Sequence, residues 1–232
     1  MGDLKYKFFI FIGFKKFIFS VLDNDNKTFF TKESFVKSET FDENLDLLNK
    51  FLNTNIISFE KEMRSYVKDI YLIIDYDNFI TLDLSTINNI NNNKISIFDN
   101  SSYLVNIKNN VVKHMEDYDL VHMLINKYIV EGNKYTIVPQ DVVGKKVFLE
   151  IRFMFLQNKI ILDLKKIFSK YQISVTKIFS NEYLKRFHNQ DDDSIFKVAN
   201  YSIDEIQENE VHINNKLLKN PGFFERFFNF FR

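Results

Sequence analysis

Apolar residues recur in two rhythms along the first third of this chain. Residues 5–12 and 16–22 are almost continuously apolar runs of strand length, separated by Gly13, and they predict a hairpin buried on both faces. Asp23-Asn24-Asp25-Asn26 supplies the next turn and residues 27–33 a third strand, so the chain opens as a meander. From Asp42 the period lengthens: Leu45, Leu48 and Leu52 share one helical stripe with Leu47 and Phe51 beside it, and a second helix is expected at 59–68. Residues 69–75 return to a short apolar run, and 79–84 predict a further strand. Three strands, helix, strand is the opening of an α/β layer.

Residues 85–100 are polar and asparagine-rich and read as a loop; a helix at 101–114 and a strand at 118–130 follow. Glu131-Gly132-Asn133 reads as a turn, and the extended stretch 135–138 stops at Pro139. Val147, Leu149, Ile151, Phe153 and Phe155 alternate with their neighbours as in a half-buried strand. Asn158 can cap a helix that carries Ile161, Leu164, Phe168 and Tyr171 on one face, and 173–179 returns as a strand. Residues 181–187 read as a helical turn leading out. The pattern divides the chain into units at 1–84 and 85–180, an acidic linker at 181–220 and a terminal helix at 221–232.

That terminal helix is two-faced. At about 100° per residue, Phe223, Phe224, Phe227, Phe228, Phe230 and Phe231 fall within an arc of about 160°, leaving the rest to Glu225, Arg226, Asn229 and Arg232. It is about 15 Å long, half the hydrocarbon thickness of a bilayer, and cannot span one. It suits the membrane interface, with the phenylalanines sunk and Arg226 and Arg232 at the headgroups. The alternative is a terminal helix docked on the protein's own core. Charge distinguishes this end of the chain: residues 188–215 carry seven carboxylates against Lys197, a net −6, whereas 216–232 carry a net +3. A flexible linker of that composition would reach about 30 Å, held away from an anionic lipid surface that attracts the basic tail.

Composition narrows the classes. The 232 residues are 45% hydrophobic, enough for one sizeable core or two small ones. Lys+Arg and Asp+Glu both total 31, so no overall field draws nucleic acid, which is not an expected partner. The absence of cysteine excludes disulfides and thiolate nucleophiles and fits a cytoplasmic setting. Gly13, Lys15 and Lys16 interrupt the N-terminal apolar stretch and no small-residue cleavage site follows, so it reads as strands and not as a signal peptide.

Within residues 120–132, His122, Tyr128 and Gly132 stand in an order that resembles the bacterial division protein FtsA, an actin-like ATPase, in its 1C subdomain. There a proline, a glycine five residues on and a strand follow, as do Pro139, Gly144 and residues 147–155 here. The N-terminal meander is similar to the first part of subdomain 1A, and that family also ends in an amphipathic membrane-targeting helix. The resemblance implies an α+β or α/β fold: a partial actin-like (ribonuclease H-like) subdomain at 1–84, a 1C-like (SHS2) interaction subdomain at 85–180, and the membrane foot. It also implies departures. In the family the first hairpin is a phosphate loop with an acid, a glycine and a hydroxyl; here Gly13 is kept, but Phe11 and Phe14 replace the other two and can bond neither a cation's water nor a phosphate oxygen. No second glycine-rich loop follows, and five glycines in all could hardly build one, so neither nucleotide nor other cofactor is expected. FtsZ binds the family's second half and does not carry over as a partner, whereas subdomain 1C is associated with self-interaction and with membrane divisome proteins.

Catalytic candidates are sparse. His114, His122, His188 and His212 show no metal-ligand spacing. Asp75-Tyr76-Asp77 resembles the acidic pair of some sugar-nucleotide enzymes, and a strand-end turn explains it equally. Asp23-Asn24-Asp25 starts like a calcium loop but has Thr28 and Ser34 where glycine and glutamate are needed, and Asp191-Asp192-Asp193 is spacer charge. The expectation is a non-enzymatic scaffold in bacterial cell division, peripheral on the inner face of the plasma membrane, self-associating and contacting divisome proteins. The alternatives are a pilus-assembly adaptor of the same fold and a small membrane-associated enzyme using Asp75 and Asp77.

Overall fold

The computed structural model describes residues 6–89, 101–137, 142–187, 194–204 and 210–211. In chain order the elements are β1 (Lys7–Gly13), β2 (Lys16–Leu22), β3 (Thr28–Phe35), α1 (Phe41–Met63), β4 (Asp69–Asp75), β5 (Ile80–Asn89) and α2 (Ser101–Lys113). There follow β6 (Tyr118–Val130), β7 (Asn133–Tyr135), β8 (Lys146–Gln157), α3 (Asn158–Ser169), β9 (Ser174–Ser180), α4 (Asn181–Lys185) and α5 (Ile195–Asp204).

Two sheets collect the strands. The first has the order β3-β2-β1-β4-β9, with β1 to β3 an antiparallel meander and β1, β4 and β9 parallel. The second, β5-β8-β6-β7, is antiparallel throughout. The continuous apolar runs of β1 and β4 follow from burial on both faces. Phe8, Ile10, Ile12, Ile70, Leu72 and Ile74 pack under α1 and α3. Phe9, Phe11 and Ile73 face the other way, onto α4, α5 and the Leu124 and Met154 side of the second sheet. The second sheet is covered on one face along β8, where Val147, Leu149, Ile151, Phe153 and Phe155 lie with Leu104 of α2; on the opposite face Met154 and Leu156 are buried with the first sheet, while Arg152 and Glu150 pair with Asp83 and Lys127.

Several expectations change. The strand predicted at 173–179 and the helix before it belong to the first sheet, not to the second unit, because β9 hydrogen-bonds β4. Conversely β5, expected to close the first unit at residue 84, pairs with β8. The sheets therefore do not divide the chain at 84/85: the first sheet closes around an inserted second sheet. The polar stretch after Ser85 continues β5 to Asn89, since an edge strand half-exposed to water needs no apolar run. The two helices expected from Asp42 to Lys68 are one. Thr54 and Asn55, which look like breakers, donate to the carbonyls of Lys50 and Phe51 a turn earlier and stay within the helix. A capping box between Thr40 and Glu43 starts α1, and Arg64, at φ 50, ends it. Asn158 is the first residue of α3 and not its cap; its amide donates to Glu116 O instead. The β6–β7 turn is Glu131-Gly132 alone, both at positive φ, with Asn133 already paired to Val130.

The acidic linker expected at 181–220 contains structure. Ile195, Phe196, Val198, Ala199, Ser202 and Ile203 recur at helical spacing, and α5 buries Phe196, Val198 and Ala199 against the first sheet. Residues 212–232, including Phe223, Phe224, Arg226, Phe227, Phe228, Phe230, Phe231 and Arg232, lie outside the described residues.

Candidate functional site

In open α/β sheets, ligands favour the carboxyl ends of parallel strands. Here those ends are Gly13, Asp75 and Ser180, Gly13 being paired with Asp75 and Ser180 with Ile74. The β1–β2 turn, where the resemblance places a phosphate loop, is filled by rings. Phe14 lies 4.3 Å from Tyr76, centroid to centroid, and Phe41 meets Tyr76 edge-on at 5.3 Å. The turn is held from behind by Asn44 of α1, whose amide donates to Gly13 O at 3.0 Å and to Ser38 Oγ at 2.8 Å. A Cβ on Gly13 would stand 3.1 Å from the Phe11 ring, so glycine here makes room for a neighbouring phenylalanine. Burial, reinforced by the Asp75 charge, raises the Tyr76 phenol far above its ordinary pKa, so the ring closes the turn as a neutral group.

Beside this plug is a polar notch of about 350 Å³ lined by Asp75, Asp77, Ser180, Glu182 and Lys185. Asp75 is already engaged: the Asn181 amide donates to it at 2.7 Å and Lys185 Nζ is 4.0 Å away. The sequence-level pair Asp75 and Asp77 does line one cavity. Among the described residues no three acidic, histidine or cysteine side chains converge as a metal site.

A second polar cluster is buried where the two sheets meet. Ser180 N–H donates to His122 Nε2 at 3.1 Å, so that nitrogen carries the lone pair and the ring proton sits on Nδ1. Nδ1–H then donates to Glu210 Oε1 at 3.0 Å, making the imidazole neutral. Glu210 Oε2 accepts from Tyr183 O–H at 2.7 Å, with Lys177 Nζ 4.0 Å away, and the His122 ring stacks on Tyr183 at 3.8 Å. Burial chiefly, and then the Glu210 charge, raises the Tyr183 phenol; burial lowers Lys177, against the pull of Glu210. These groups satisfy one another. The cluster clasps Glu210 to β6, where it forms an antiparallel bridge with Leu124, and Val211 N–H donates to Met123 O at 2.9 Å.

Next to the clasp runs a groove of about 290 Å³. One wall is Asp119, Leu120 and Val121 of β6; the other is Val175 to Ile178 of β9; Ile161 and Lys165 of α3 close the end. β9 is the last strand of its sheet, and β7 covers only the far end of β6, so two strand edges face each other across this groove. Such a channel offers backbone donors and acceptors to an extended polypeptide.

The remaining sequence candidates serve the second sheet. Tyr128 is buried among its apolar residues, which pushes its phenol up to about 12. Gly132 takes φ 83 in the β6–β7 turn, and Gly144 passes so close to Val130 that a Cβ would come within 2.7 Å of it. His114 is exposed after α2. Asp23 closes its hairpin by accepting from Asp25 N–H and Lys27 N–H, each at 2.9 Å. Pro139, His188, His212 and Asp191 to Asp193 lie outside the described residues. Sequence reasoning missed Glu210, Tyr183 and Lys177. The signal for Glu210 was the alternation Glu210, Val211, His212, Ile213, a strand rhythm hidden in an acidic stretch.

No protein-family model and no curated protein matches the sequence. Solved structures do share its shape. A chain of a PilM–PilN type IV pilus biogenesis complex superposes with a TM-score of 0.50 at 7% identity, over 78% of this chain and 49% of its own. The fold is mixed α/β, as in that pilus-complex chain. A Bacteroides thetaiotaomicron protein described as having an actin-like ATPase fold and unknown function also aligns, with a TM-score of 0.30, 14% identity and coverage of 81% and 58%. The chain thus spans about half the length of the pilus-complex chain it matches. At 7% identity the likeness to the pilus-complex chain reaches the fold alone.

Proposed function

We propose that this protein is a non-catalytic adaptor of the actin-like fold that holds an extended segment of a partner protein in the groove between β6 and β9, next to a membrane. The observation that carries this reading is the groove itself, two facing strand edges lined by apolar Leu120, Val121, Val175 and Ile178 together with Lys165 and Lys177. The aromatic plug of Phe14, Phe41 and Tyr76 supports a non-enzymatic role, because it occupies the turn that would have to cradle a phosphate. The match to a pilus biogenesis complex, an assembly of two proteins, favours a pilus-type adaptor. The order of His122, Tyr128, Gly132 and Gly144 favours an FtsA-like division scaffold. Both are envelope adaptors and share one test. A photo-crosslinking residue at Thr176, exposed in the groove, is expected to capture a defined membrane protein in native cells, while the same residue at Thr31 on the opposite edge of the sheet captures none. Equal capture at both positions, or none at Thr176, would remove the groove as the docking site. The identity of the captured protein separates division from pilus assembly.

A further inference from the structure

The face of the second sheet turned away from α2 is polar in the half that lies beyond the Asp83–Arg152 pair, with one exception. There each of three strands sends a single apolar side chain to that face: Ile87 from β5, Phe148 from β8 and Ile129 from β6. The register sets them in one row, Ile87 opposite Phe148 and Phe148 opposite Ile129. Ile87 is 48% exposed, Phe148 is 44% exposed and Ile129 is half-buried. Apolar side chains scattered singly over a surface carry no meaning, but three strands that place their one outward apolar residue in the same row make a continuous patch.

Lysines close this row. Lys134 of β7 opposes Ile129 and ends it, and Lys146 stands two residues from Phe148 on the same face of β8; both are exposed. The next row inward is neutral, because Lys127 Nζ pairs with Glu150 Oε2 at 2.7 Å. At the neighbouring turn Glu131 accepts from Lys145 N–H at 3.2 Å, and the two side chains carry opposite charges. The net charge beside the apolar row is therefore that of Lys134 and Lys146.

We propose that this row is a contact for an anionic bilayer surface, with Ile87, Phe148 and Ile129 at the acyl boundary and Lys134 and Lys146 among the phosphate headgroups. A sheet face is flat and gives a protein partner no pocket for an anchor side chain, whereas a lipid interface conforms to it. The charge is complementary to anionic headgroups, and lysine stems can lie along the apolar row while their ammonium groups stay in the headgroup layer. The inference goes beyond the adaptor reading and does not use the groove between β6 and β9, so the cross-linking experiment stands or fails separately.

The absence of cysteine allows one probe per chain. In the full chain, Ile87→Cys carrying an environment-sensitive fluorophore is expected to shift its emission to the blue on phosphatidylcholine–phosphatidylglycerol vesicles and to be quenched by lipids with brominated acyl chains. Thr31→Cys, labelled in the same way on the far edge of the first sheet, is expected to show neither change. Lys134→Gln with Lys146→Gln in the Ile87→Cys chain is expected to weaken binding to these vesicles at least tenfold, with the thermal transition unchanged. No quenching at residue 87, equal quenching at residues 87 and 31, or undiminished binding of the lysine variant would each overturn the proposal. So would a doubled mass in lipid-free solution that Phe148→Ser abolishes, because the occupant would then be a second copy.

Discussion

Glu210 shows how much can rest on one side chain. It is a buried carboxylate with two side-chain donors, His122 Nδ1–H and Tyr183 O–H, aimed at its two oxygens. Glu210→Ala removes that acceptor from both donors at once, and at about 1–3 kcal/mol for each abandoned group the expected loss is about 2–6 kcal/mol. Glu210→Gln keeps one acceptor oxygen but turns its amide toward one donor, so it is expected to cost less. Urea denaturation of the three proteins checks the order, and an alanine variant as stable as the parent would mean that the clasp holds nothing. Asn44 has the same character on the other side of the first sheet: one buried amide ties the β1–β2 turn, through Gly13 O, to the start of α1. Neither residue has a side chain whose type announces its role, because what matters is a partner 31 or 88 positions away.

At the level of elements, α5 is the piece whose removal reveals most. Phe196 and Val198 are each worth about 1.5–3 kcal/mol on burial, and they cover Phe9 and Phe11, which otherwise face water. A chain ending at Phe187 is therefore expected to bind a hydrophobic dye and aggregate, whereas one ending at Val211 remains monomeric and dye-free. If the shorter chain behaves as well as the longer one, residues 188–211 are a spacer after all. The sequence supplied most elements of this fold. β1, β2, β4 and β8 are legible because burial on one or both faces imposes apolar runs or strict alternation, and α2 and α3 because their stripes are regular. Pairing was less legible, since β5 and β9 carry nothing in their composition that says which sheet they join. Charge also misled: the carboxylates around α5 concealed a helix whose apolar face is as good as that of α3. Of the candidate residues, Phe14 at the β1–β2 turn and the neighbours Asp75 and Asp77, which line one notch, stand close in the sequence and are visible there. The groove is not, because its walls come from three elements that meet only on folding.

For the whole molecule, residues 221–232 are the proposed attachment to lipid, on the two-faced pattern of their phenylalanines. No helix among the described residues is long and apolar enough to cross a membrane. Six phenylalanines half-sunk at about 1 kcal/mol each give about 6 kcal/mol, and ordering ten residues offsets much of it, so one foot binds marginally and linked feet bind well. Phe227→Glu with Phe231→Glu is expected to lower cosedimentation with anionic liposomes at least tenfold while leaving the thermal transition of the body unchanged. Retention on liposomes would move the attachment elsewhere in the chain.

The inserted second sheet also sets a timetable. β4 and β9 are hydrogen-bonded neighbours, yet roughly a hundred residues separate them along the chain, so this closure is a contact of high sequence separation and slow to form. During synthesis, the meander, α1 and β4 leave the ribosome with one strand edge bare, and the partner for that edge arrives only after the whole second sheet has been made. A nascent chain paused within that interval presents Ile70, Leu72 and Ile74 on a naked edge, the kind of surface that chaperones shield and neighbouring nascent chains can pair with by mistake.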